Sequence, residues 1–163
     1  MAKVGSDHRK SVLFVCLGNI CRSPAAEGVL QSLIDQRNLA DLVFVDSAGT
    51  SSYHIGEPAD KRMRAAAKNR SIELTSRSRM VSSRDLTKFD LVIAMDRSNY
   101  RELEAMVSGA GRGNVRLLSD YLEGDWPDEV PDPYYGGDEG FEQVLDMLAA
   151  ACPVLLDELM AQA

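Results

Sequence analysis

One cysteine and one arginine, five residues of loop between them, carry the chemistry of this chain. The segment Cys16-Leu-Gly-Asn-Ile-Cys-Arg22-Ser23-Pro24 follows directly on the apolar run Ser11-Val-Leu-Phe-Val, and a helical pattern begins just after it. A strand, a tight loop and a helix N-terminus together make an anion site, because unpaired backbone N–H groups and the helix dipole both favour negative charge. Gly18 and Asn19 tolerate the left-handed backbone that turns several N–H groups inward. Ser23 is expected as the helix N-cap and Pro24 as its first residue. Arg22 adds a guanidinium matched to a tetrahedral oxyanion. Cys16 enters that field. An unperturbed thiol of pKa ~8.5 is only a few per cent ionised at neutrality, and lowering it by about three units takes on the order of 4 kcal/mol of preference for the anion, which a ring of amides supplies. A thiolate at the base of such a cradle is placed to attack phosphorus. The bare spacing is weak, since three Cys and 13 Arg in 163 residues produce it by chance in about one sequence in four. Strand, Gly-Asn, Ser-Pro and helix together make it specific.

Attack on an aryl phosphate also calls for an acid, because protonating the phenolate as it departs is worth roughly 10²–10⁴-fold. His8 lies in a polar amino-terminal tail and His54 stands alone, a setting in which histidines are more often structural than catalytic. Asp132 is the stronger candidate: Pro133 stiffens its loop, and Asp128, Glu129 and Asp138 are expected to disfavour its ionised form. Tyr53, Tyr134 and Tyr135 fit an aromatic wall for a flat phenyl group. Either tyrosine of the 134–135 pair could also accept phosphate from a tyrosine kinase.

The elements that must hold these residues read as an alternation. Ser11–Cys16, Leu42–Asp46, Leu91–Met95 and Val115–Leu118 are short apolar runs of the kind buried on both faces of a parallel sheet. Between and after them, helical spacing recurs at 26–34, 59–69, 96–108 and 141–159, where Pro153 is expected to bend or interrupt the last helix. The pattern predicts a single-domain α/β fold: a doubly wound, four-stranded parallel sheet with helices on both faces, occupying 11–163 after a flexible tail at 1–10. Ligands of such folds bind beyond the carboxyl ends of the strands. The stretch 119–138 is too long for an ordinary connection and is expected to be a functional loop.

Charge and cysteine usage narrow the function classes. The 18 basic and 25 acidic residues give −7, which argues against a nucleic-acid binder or a protein held to anionic membranes. That charge is local: residues 120–139 hold eight acidic side chains and no Lys or Arg, leaving the remainder at +1, while 60–101 has eleven basic against five acidic. No apolar run reaches membrane length. Three cysteines without a repeating spacing point to reduced thiols in the cytoplasm, and without a supporting Cys or His cluster they point to no metal. No cofactor is called for.

The loop 16–24 with the following Ala-Ala-Glu resembles the signature of the low-molecular-weight protein tyrosine phosphatases, as do Asp46-Ser-Ala-Gly-Thr50, Met95-Asp-Arg-Ser-Asn99 and Asp132-Pro-Tyr-Tyr-Gly136. The resemblance implies hydrolysis of protein phosphotyrosine, with Cys16 forming a phosphocysteine and Arg22 binding the phosphoryl oxygens. It further implies that Ser23 stabilises the thiolate, that Asn19 and Ser47 hold the loop's shape, and that Asp132 protonates the phenol and then activates water. Substrate is expected to meet the loop residues Leu17, Gly18, Asn19, Ile20 and Cys21 and the three tyrosines, and Cys21 is implied as a redox partner of Cys16. Cys152 reads as a core residue. Relatives of this fold offer rival readings. Arsenate reductases need further cysteines, absent from Arg77–Thr87; protein arginine phosphatases carry Thr where Ile20 stands; and Ser76 occupies a place where many vertebrate relatives brace the loop with histidine. A non-catalytic phosphotyrosine-binding module needs neither Cys16 nor Asp132.

Overall fold

In a computed structural model, which describes residues 8–110 and 114–162, four parallel strands form one sheet in the order β2-β1-β3-β4. They are β1 (Lys10–Cys16), β2 (Val43–Gly49), β3 (Leu91–Ala94) and β4 (Val115–Leu117). β1 is central, pairing with β2 from Lys10 opposite Val43 to Cys16 opposite Gly49 and with β3 from Val12 to Val15. The chain thus leaves β1 toward one edge and later returns on its other side. The strand order reverses there, and the end of β1 is where a doubly wound sheet opens a crevice.

Among the described residues five α-helices flank the sheet: α1 (Arg22–Gln36), α2 (Lys61–Lys68), α3 (Ser83–Lys88), α4 (Arg97–Ala110) and α5 (Asp138–Ala161). Successive side chains of a strand point to opposite faces, so β1 supplies two cores. Val12 and Phe14 pack in one with Leu30 and Ile34 of α1 and Phe141, Leu148 and Leu155 of α5. Leu13 and Val15 pack in the other with Leu86 of α3 and Leu103 of α4. No helix among the described residues is long and apolar enough to cross a membrane.

Several expectations are corrected. The expected tail lies mostly outside the described residues, and its last member, Lys10, already belongs to β1. α1 starts at Arg22 with Cys21 in the capping position and no side-chain cap, so Ser23 and Pro24 are its second and third residues. The hydroxyl that would have capped the helix is turned toward Cys16 instead. Pro24 is tolerated because the first four helical N–H groups have no partner in the helix. α5 runs unbroken through Pro153: Cys152, Leu155 and Leu156 are fully buried beside it, and that packing outweighs one lost backbone hydrogen bond. α3, six residues long, follows a segment with no helical period. Between Tyr121 and Asp138 the chain is irregular, and Asp132 lies in that stretch.

Candidate active site

The loop after β1 is shaped from outside. The Cys16 carbonyl accepts from the Thr50 N–H and that of Leu17 from Ser51 N–H, both at 2.9 Å; that of Ile20 accepts from Asp60 N–H at 2.8 Å. The Gly18 carbonyl accepts from the Ser78 hydroxyl at 3.0 Å. A trans peptide sets its N–H opposite its C=O, so each carbonyl drawn outward turns the following N–H inward. Asn19 makes the bend with a left-handed φ of 57°. Gly49 lets β2 approach: a Cβ there would stand 2.8 Å from the Leu17 carbonyl oxygen.

Two N–H donors meet at Cys16 Sγ, Asn19 at 3.3 Å and Ser23 at 3.4 Å, and the Ser23 hydroxyl lies 3.1 Å from it. Behind them, Asn19 Nδ2 donates to Ser23 Oγ (2.7 Å) and Ser47 Oγ (3.0 Å), while its Oδ1 accepts from Arg79 N–H (2.9 Å). The Ser47 hydroxyl donates in turn to Glu27 Oε1 at 2.6 Å. Ser23 Oγ thus accepts from Asn19, and its one proton stands between the Ala48 carbonyl at 3.3 Å and the Cys16 sulfur at 3.1 Å. The Asn19 side chain is therefore a buried brace, and it is the backbone N–H of Asn19 that turns toward Cys16.

Burial pushes the Glu27 carboxyl up, with Asp46 adding to it, against the hydrogen bonds from Ser47 and Ser76. A carboxyl raised in the folded state gives stability that is complete below its unfolded pKa, about 4.3, and lost as pH rises through the folded value. Glu27→Gln should therefore gain on the native protein as pH is raised from about 4 to about 7, as read by urea unfolding at each pH. A gap moving the other way would contradict this assignment.

Arg22 is held from two sides, its Nη1 donating to Asp96 Oδ2 at 2.7 Å and to the Val130 carbonyl at 3.0 Å. Burial opposes its charge, but Cys16 and Asp96, with Asp132, more than offset that, leaving its pKa above the usual arginine range. Its Nη2 lies 3.7 Å from Asp132 Oδ2. Two of the carboxylates expected around Asp132 have contacts or places of their own. Glu129 accepts from Arg97 N–H at the start of α4, and Asp138 lies in the first turn of α5. The ion-pair partner of Asp132 is Arg22, and its Oδ1 accepts from Tyr134 N–H at 3.1 Å.

These groups share a cavity of about 450 Å³. Cys16, Leu17, Gly18, Ile20, Cys21 and Arg22 line it from the loop, Asp132 from the irregular stretch, and Tyr53, Tyr134 and Tyr135 form its walls. Ser51 and His54 line it too, although neither was expected there. Asp96 was visible only as part of a motif without a role. Cys16, Cys21 and Cys152 are free thiols, and burial first, then Asp60, pushes the Cys21 thiol far up. No group of three His, Cys, Asp or Glu that could hold a metal occurs among the described residues.

A nucleophile's sulfur ringed by donors, a buried guanidinium and a carboxylic acid on one cavity suit phosphoryl transfer, and the family model of the low molecular weight phosphotyrosine protein phosphatases matches residues 11–163. The chain belongs to that family. A Synechocystis sp. protein bearing the low molecular weight protein-tyrosine-phosphatase name is 48% identical over 149 residues, 91% of this chain and 95% of its own. A protein tyrosine phosphatase of Entamoeba histolytica, crystallised with Hepes in its active site, superposes with a TM-score of 0.90 at 44% identity, covering 94% of this chain and 98% of its own. A Drosophila arginine phosphatase does so at 0.84 and 35%, covering 90% and 96%. The family's members are hydrolases, and so is this chain.

Proposed function

We propose that this chain hydrolyses protein phosphotyrosine through a phosphocysteine intermediate. The observation that carries the reading is the convergence of two N–H donors and the Ser23 hydroxyl on Cys16 Sγ in a cavity that Arg22 and Asp132 also line. The inward loop N–H groups and Arg22 receive the phosphoryl oxygens. The Cys16 thiolate forms an S–P bond as the P–O bond to the phenol breaks, and the leaving oxygen takes the proton of Asp132. The Asp132 carboxylate then takes a proton from water, whose oxygen bonds phosphorus as the S–P bond breaks. Thiolate and inorganic phosphate result. Ile20 supports an aryl ester over phosphoarginine, since an apolar side chain in the cavity wall gives a guanidinium no acceptor.

The same loop supports redox control. Hydrogen peroxide would convert the Cys16 thiolate to a sulfenic acid, and the Cys21 thiol would condense with it to a disulfide, releasing water. Three free thiols suit a reducing cytoplasm. Tyr135, 92% exposed, is the more accessible of the pair to a kinase.

Rapid quenching of a phosphotyrosine peptide reaction, followed by mass spectrometry, tests the mechanism. The phosphoryl adduct should sit on the peptide carrying Cys16. An adduct elsewhere, or faster turnover of phosphoarginine or arsenate than of phosphotyrosine, would overturn the reading.

A further inference from the structure

Asp132 is the acid of the proposed reaction, yet it is exposed and lies in chain with no helix or strand of its own. A proton donor works only when it is held within hydrogen-bond reach of the departing oxygen. On the upstream side the stretch is anchored at Val130, whose N–H donates to the Met95 carbonyl at 2.9 Å and whose carbonyl accepts from Arg22. From 131 to 137, among the described residues, the hydrogen bond that reaches another element comes from Arg62 of α2, whose Nη2 donates to the Tyr134 carbonyl at 3.0 Å. The N–H of the same Tyr134 donates to Asp132 Oδ1.

Arg62 is itself held. Its Nε and Nη2 donate to Asp60 Oδ1 and Oδ2 at 3.2 and 3.1 Å, and Asp60 caps α2 by accepting from the N–H groups of Arg62 and Met63. The guanidinium lies over the Phe141 ring of α5, 4.7 Å from its centroid, and over the Tyr134 ring at 5.5 Å. The Asp60 N–H is also the donor that holds the Ile20 carbonyl of the nucleophile's loop at 2.8 Å. One pair of residues at the start of α2 thus fastens both halves of the site. Asp60 reaches the loop of Cys16 through its backbone, and Arg62 reaches the loop of Asp132 through its side chain. The task suits arginine, since its planar fork gives Asp60 two donors and keeps a further Nη2 proton for the Tyr134 carbonyl, where a lysine ammonium is a single point.

We propose that Arg62 is a positioning residue for the general acid: by holding the Tyr134 peptide it keeps the Asp132 carboxyl over the leaving oxygen. Arg62 is not among the residues that line the cavity, so it acts through the loop and not on the phosphoryl group. The proposal rests on Asp132's being the acid of the reading above. The Arg62 side chain is 42% exposed, and replacing it opens no buried space.

Steady-state kinetics on a phosphotyrosine peptide and on p-nitrophenyl phosphate would test it in native protein, Arg62→Ala, Arg62→Lys, Asp132→Ala and the double variant, with urea unfolding to check that each is folded. The readout is kcat/KM, which reports the steps through P–O cleavage whichever later step limits kcat. A misplaced acid costs most where the leaving group is most basic, whereas loss of a nearby charge or of packing on Tyr134 weakens both esters alike. The ratio of nitrophenyl to phosphotyrosine kcat/KM should therefore rise about tenfold in Arg62→Ala, and about as much in Arg62→Lys, which keeps the charge but not the fork. Added to Asp132→Ala, the Arg62→Ala change should leave that ratio where Asp132→Ala alone sets it. Native ratios in both Arg62 variants, or a further rise on the Asp132→Ala background, would overturn the role of Arg62. A native ratio in Asp132→Ala would overturn the acid reading beneath it.

Discussion

Cys16→Ser should turn over a phosphotyrosine peptide at least about 10⁴-fold more slowly than native protein. The loop sets two N–H donors at 3.3 and 3.4 Å and the Ser23 hydroxyl at 3.1 Å from sulfur, distances that suit a large polarisable anion. A serine hydroxyl ionises many pH units higher than a thiol, and the shorter side chain withdraws the nucleophilic atom from phosphorus. The carbonyl contacts that orient the loop's amides and the Asp96 contact that holds Arg22 do not involve the sulfur. Loss should therefore fall on kcat, measured alongside calorimetric binding of inorganic phosphate. A Cys16→Ser protein with a tenth of native kcat would eliminate the S–P bond from the pathway.

Asp132→Ala should divide substrates by their leaving group. On phosphotyrosine the phenolate is basic, and losing its proton source should cost roughly 10²–10⁴-fold in kcat. On a nitrophenyl ester, whose phenolate leaves unaided, the first step should suffer far less. What loss remains there measures the base that activates water in the second step. Asp132 also stands 3.7 Å from Arg22 and accepts from Tyr134 N–H, so Asp132→Asn, which keeps an oxygen for that amide, separates proton transfer from loop geometry. A uniform loss across both substrates would remove Asp132 from the acid role.

What the sequence discloses and what it hides follow from contact range. The strand 11–16, its loop and the helix after it are contiguous, so their residue types reveal both the element and the anion site. The support is not contiguous. Ser78 and Arg79 sit in a polar, arginine-rich run that reads as solvated chain, yet Ser78 is 4% exposed, and both reach the loop from 60 residues away. Asp96 meets Arg22 across 74 residues, from the turn between β3 and α4. Glu27, one turn beyond Arg22, resembles a surface residue until Ser47 turns to it. His54 reads as bland because neither the bend that puts it over Gly18 nor its pairing with the aromatic walls has a local signature. Within the acidic run 120–139, the contacts of Glu129 with Arg97 N–H and of Asp132 with Arg22 are likewise long-range and leave no mark on the local sequence.

The outward-held carbonyls have a consequence for the barrier. Thr50, Ser51, Asp60 and Ser78 belong to segments that are ordered when the sheet and α2 assemble, so the conformational entropy of fixing the loop is lost in folding and not in each turnover. An arriving phosphoryl group meets dipoles already aligned with the charge it will develop, and little reorganisation is left for the transition state to include.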